Sequence, residues 1–274
     1  AGDRADPTVT TTAGVGMLMR DAEQRGAKRI ILGLGGSATN DCGAGMASEL
    51  GFVFLDKNGN AFVPVGGTLA DIEHIISPKE PFGVPVTAAC DVTNPLFGAD
   101  GAAYVFAPQK GANAEQVRAL DLGLRHMSKI LKRELGFDSD NLPGAGAAGG
   151  LGAGAAAFLN ARLKSGIDIV LDESGFDELA KSADVIVTGE GRFDSQSIRG
   201  KVMSGVCKRA AKSGAAVYAV CGCASSDADP AELGIKKLFV SSDGTRTMDE
   251  LLISCRSELY AAATALAQEL LKCD

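Results

Sequence analysis

Apolar and polar positions along the chain alternate between two rhythms. Short apolar runs closed by glycine, such as Lys28–Leu34 and Val185–Thr188, predict buried strands. Longer stretches with apolar residues three or four apart predict helices, the clearest being Glu115–Leu135 with Val117, Leu120, Leu124, Met127 and Leu131 on one face. On this basis helices are expected over Thr11–Gln24, Gly43–Leu50, Gly175–Lys181, Lys201–Lys212 and Met248–Lys272. Strands are expected over Ile72–Ile76, Val84–Ala89, Ile167–Leu171, Ala216–Val220 and Leu238–Val240. Phe52–Leu55 and Ala61–Val63 flank the Asp56-Lys-Asn-Gly-Asn60 turn, which predicts a hairpin. Tyr104–Phe106 fits either a strand or a short helix. Strand, loop and helix repeating in that order predict an α/β fold, a parallel sheet covered by helices.

Composition narrows the functional classes. The chain has 274 residues, enough for one large domain or two ordinary ones without disulfide or metal staples. A net charge of −7 and the lack of a basic run argue against a nucleic-acid partner. The longest uncharged run, Asn141–Ala161, is mostly Gly and Ala, too weakly apolar for a membrane partner to be expected. Seven scattered Cys, with Cys221-Gly-Cys223 as the nearest pair, suit reduced thiols and a cytoplasmic location better than a disulfide frame or zinc site. The 35 glycines gather beside the strand-like runs, as in loops that approach a ligand closely.

Ligands of open parallel sheets bind where βα loops leave the C-terminal strand ends. Two such loops stand out. The first is Gly35-Gly36-Ser37-Ala38-Thr39-Asn40-Asp41. The second runs from Gly189 through Glu190, Arg192, Asp194 and Arg199 to Lys201, joining carboxylates for Mg²⁺ with cations for phosphate. Lys201 at a helix start opposes the helix dipole, a local cost that a bound phosphate would offset. Gly33-Leu-Gly35-Gly-Ser-Ala38 also fits a dinucleotide fingerprint, with Asp56 ending the next strand, so an NAD(P)-linked oxidoreductase is a competing reading. A P-loop lysine motif is absent, because Gly200-Lys201 is followed by Val202.

Five ordered blocks resemble the type I glycerate kinases. They are Gly33–Asp41 with Gly43-Ala-Gly45, Cys90-Asp-Val-Thr-Asn-Pro-Leu96, Pro108-Gln-Lys-Gly-Ala112, Pro143–Gly150, and Thr188–Gln196 with Gly200-Lys201. The resemblance implies ATP- and Mg²⁺-dependent phosphorylation of D-glycerate. It also implies two α/β domains, a flavodoxin-like (Rossmann-like) parallel-sheet domain and an inserted one. These are placed at 1–48 plus 166–274 and at 49–165, with substrate held between them. The family's early Asp-Ser-Phe-Lys-type and Asp-Gly-Gly-Glu-Gly-type motifs do not occur here. A catalytically incomplete, ligand-binding kinase-like domain is therefore a further alternative, and unpaired sheet edges would favour self-association into a homo-oligomer. Asp194, Glu190 and Lys201 are the expected catalytic residues, with Glu190 and Asp194 also as metal ligands. Gly35, Gly36, Ser37, Asn40, Asp41, Asp91, Asn94, Arg192 and Arg199 are expected to hold substrate or phosphate. Lys110 rests mainly on the resemblance.

Overall fold

A computed structural model describes residues 5–198, 202–242 and 245–272. They form two compact units, 1–164 and 165–274. The first contains α1 (Ala13–Gln24), β1 (Ile30–Gly33), α2 (Ala44–Glu49), β2 (Val53–Leu55), β3 (Ala61–Phe62), β4 (His74–Ile76), β5 (Val86–Ala89), α3 (Ala102–Phe106), α4 (Ala114–Leu135), α5 (Ala147–Leu159) and β6 (Arg162–Lys164). The second contains α6 (Gly166–Glu173), α7 (Phe176–Ala180), β7 (Val185–Phe193), α8 (Ser195–Ile198), α9 (Val202–Ala210), β8 (Ala216–Ala224), β9 (Ile235–Val240) and α10 (Met248–Leu270). The α/β class is as expected.

In the first unit β1, β5 and β6 form a parallel sheet, while β3, β2 and β4 form an antiparallel one that includes the expected hairpin. With β1 paired to β5, residues 5–48 fall in the same compact unit as 49–164. α4 starts at a capping box: the Asn113 side chain accepts from the Glu115 and Gln116 N–H groups, and Gln116 accepts from the Asn113 N–H. Its predicted face is buried, with Leu120, Leu124, Met127 and Leu131 fully inside the core. Each such side chain contributes about 1.5–3 kcal/mol.

In the second unit β7, β8 and β9 form a parallel sheet. Two expectations change here, and one strand at its border was not expected. Residues 167–171 are helical, because Ser165 caps α6 by accepting from the Asp168 N–H. Strand β6, just before it, has no signal in the Gly/Ala-rich run that precedes it. β7 continues to Phe193, since its ladder with β8 persists through Glu190↔Cys221 and Arg192↔Cys223. Glu190 and Arg192 are thus strand residues, not loop residues.

Candidate active site

Within the first unit, β1 and β5 end side by side at Gly33↔Ala89, so the 34–41 and 90–94 segments leave the same sheet edge. Between them lies a cavity of about 210 Å³ lined by Gly35, Ser37, Val92, Phe106, Lys110 and Ala148 among others. Gly36 lines it too, so three expected ligand-binding positions share one pocket. The Ser37 hydroxyl accepts from the Thr39 N–H at 3.1 Å, which holds the loop in a tight turn.

Lys110 is the residue that residue-level reading left out. A lysine in a short Pro-Gln-Lys-Gly stretch carries no signal that its head will be enclosed, yet it is only 6 % exposed. Its ammonium donates to the Thr39 carbonyl at 2.7 Å, its one hydrogen bond among the described residues. Burial draws its pKa down to about 8, against the pull of the Asp41 charge. Next to Thr39, Asn40 is completely buried, and neither atom of its amide has a partner. Such a group costs about 1–3 kcal/mol.

Asp41 is engaged by the protein's own donors. One oxygen accepts from the Thr12 N–H, the Thr12 hydroxyl and the Gly45 N–H at 2.7, 2.8 and 3.3 Å, and the other from the Gly43 N–H at 3.2 Å. The fully buried carboxylate joins the N-terminal ends of α1 and α2. Burial pushes its pKa up despite those donors. Asn94 likewise serves a turn, donating to the Asp100 carbonyl at 2.8 Å. Asp91 is exposed beside it.

The Gly/Ala tract enters the same region. Residues 148–150 take left-handed backbone angles within α5, including the non-glycine Ala148 at φ 52°. A Cβ on Gly149 would lie 2.0 Å from the Thr39 carbonyl oxygen, and one on Gly154 would lie 2.2 Å from that of Cys42. The tract is small because the 39–43 segment packs directly on it.

The dinucleotide reading does not fit this geometry. Helix α2 begins at Ala44, well past the glycines, whereas a pyrophosphate site needs the helix to start at them. Asp56 belongs to the antiparallel sheet's hairpin, where its carboxylate accepts from the Asn58 and Asn60 N–H groups.

In the second unit, Glu190 stands near the C-terminal end of β7, with one carboxylate oxygen buried and unpartnered. Asp194 follows where the strand turns into α8. That turn is fixed by Ser197, which is 1 % exposed, accepts from the Asp194 N–H and donates to the Arg192 carbonyl. Arg192 is exposed and lies 3.5 Å from the Asp194 carboxylate. Arg199 and Lys201 fall outside the described residues. Among the described residues no group of three His, Cys, Asp or Glu is disposed to hold a metal ion. Mg²⁺ on a nucleotide needs only one or two carboxylates besides the phosphates, which Glu190 and Asp194 satisfy in kind.

The Glycerate kinase family profile matches residues 1–271. A glycerate kinase of Halalkalibacterium halodurans is 43% identical over 97% of the chain, and the glycerate 2-kinase of Escherichia coli K12 is 42% identical over 96%. The chain spans 71% of the length of each. A solved protein of Salmonella typhimurium LT2 carrying the glycerate kinase 2 assignment superimposes with a TM-score of 0.81 at 37% identity, over 98% of this chain and 73% of that one. The sequence blocks, the pocketed glycine loop and these relatives agree: the chain belongs to the glycerate kinase family.

Proposed function

We propose that the protein transfers the terminal phosphoryl group of ATP to a hydroxyl of D-glycerate. The observation that carries this reading is the 43% identity to a glycerate kinase across nearly the whole chain. The pocket supports it: about 210 Å³ lies below the ~300–1,000 Å³ of pockets for drug-sized ligands and suits a three-carbon acid.

Phosphoryl transfer asks a protein for position and charge more than for covalent chemistry. In this reading Gly35, Gly36 and Ser37 seat the small acid, while Asp41 positions their loop from beneath. In the second unit Glu190 and Asp194 are the carboxylates that would hold the nucleotide's metal. When bound, Mg²⁺ supplies neutralisation of phosphate charge. Arg192, with Arg199 and Lys201 beyond the described residues, offers cations suited to phosphate oxygens. An enzyme-coupled assay of ADP release with the full chain, D-glycerate and MgATP tests the proposal. Release that depends on both substrates is expected; folded protein with no D-glycerate-dependent release would overturn it.

A further inference from the structure

We propose that Lys110 is the specificity-determining cation that receives the substrate's carboxylate and makes the pocket select an acid over a neutral polyol or amide. The inference rests on the kinase reading and deepens it.

The geometry is that of an incomplete ion pair. The Lys110 side chain is nine-tenths buried, and an ammonium carries three donors. Among the described residues one donor is used, on the Thr39 carbonyl. The opposite charge that acts on it, Asp41, is already engaged by four donors and serves two helix ends. An enclosed cation so thinly compensated is costly unless an anion completes its surroundings. The cavity it lines is where that anion would sit.

A second observation points the same way. Asn40, fully buried next to Thr39, leaves both amide atoms unpartnered, so this segment holds polar capacity that the protein itself does not consume. A third is Ala148, a cavity-lining residue held in the left-handed region where non-glycine backbone is strained.

The anion's chemistry follows from size and surroundings. Leu34, Val92 and Phe106 give the cavity an apolar wall suited to a short carbon skeleton. One lysine matches the single charge of a carboxylate. A triphosphate is larger than the space and carries several charges, for which the described lining offers one cation.

The test compares wild type with Lys110→Met on D-glycerate and on its neutral primary amide. The variant should raise the KM for D-glycerate by roughly 10–100-fold with kcat and the KM for ATP little changed. Its preference for acid over amide should fall towards parity. Folding is checked by melting temperature. Should the variant not fold, the wild-type pH profile decides instead. As the ammonium deprotonates, KM for D-glycerate should climb from about pH 8 upwards, approaching tenfold per pH unit, with no such climb in the KM for ATP. A flat profile from about pH 7 to about pH 9.5, or a folded variant that keeps its acid preference, would overturn the inference. An effect on the KM for ATP alone would do so too, by assigning Lys110 to phosphate. The kinase reading fails separately: it is lost if wild type binds D-glycerate in calorimetry, through Lys110, yet transfers no phosphoryl group.

Discussion

Buried polar groups that the fold does not use are the residue-level signature of this protein. Glu190 and Asn40 leave side-chain atoms unpartnered, whereas Asp41, Asp121 and Ser197 are fully employed in holding loops. A group kept at a cost to stability is one that function retains. Glu190→Gln should therefore lower kcat by about 100-fold or more, as expected for a lost metal ligand or base. Its melting temperature should stay level or rise, because the charge of a carboxylate with a buried, unpaired oxygen is removed. Differential scanning calorimetry beside the coupled assay checks both halves. A variant that loses stability but keeps kcat would assign Glu190 to structure.

Some of this was legible beforehand. Gly35, Gly36 and Ser37 follow an apolar run and precede a polar turn, a pattern that points from order alone to the loop that lines the cavity. The task of Asn94 was hidden because nothing in the sequence marks the Asp100 carbonyl as its acceptor, and that of Asp41 because its Thr12 donors reach it only through tertiary contact. Lys110 was hidden for the same reason, since enclosure of a long charged side chain depends on what packs around it.

At the scale of elements, the Gly/Ala tract shows how composition underdetermines structure. Its glycines permit either close packing or a ligand loop; in the fold, Gly149 and Gly154 give close packing while Ala148 borders the cavity. Gly149→Ala would place a Cβ against the Thr39 carbonyl and force a left-handed angle on a residue with a side chain. A loss of about 2 kcal/mol or more is expected in denaturant titration, together with weakened D-glycerate binding. Gly14→Ala, on an open helical face of α1, should be neutral or stabilising by up to ~1 kcal/mol. Equal losses for both would contradict the packing role assigned to the tract. The long amphipathic helix α4 and the hairpin were readable because their patterns are local. Helix α6 was misread because its five-residue run, four of them apolar, is too short for periodicity to arbitrate, and the Ser165 cap decides it.

For the whole molecule, the α/β class follows from repeated strand–loop–helix order, but the partition does not. Strand β1 joins β5 and β6, and that choice among parallel partners is made by packing, not by any pattern within Lys28–Leu34. The kinase and dehydrogenase readings differ in the nucleotide that should stabilise the folded chain. MgATP at about 100 times its dissociation constant should add about 2.7 kcal/mol, seen as a rise in melting temperature, and NADH should add none. The reverse ranking would favour the dehydrogenase.

The most direct measurement follows the phosphoryl group itself. Phosphorus NMR of the full chain with MgATP and D-glycerate should show the terminal phosphate signal of ATP replaced by a phosphomonoester resonance split by glycerate protons. Inorganic phosphate as the sole new signal, or an unchanged ATP spectrum in the presence of folded protein, would contradict the account.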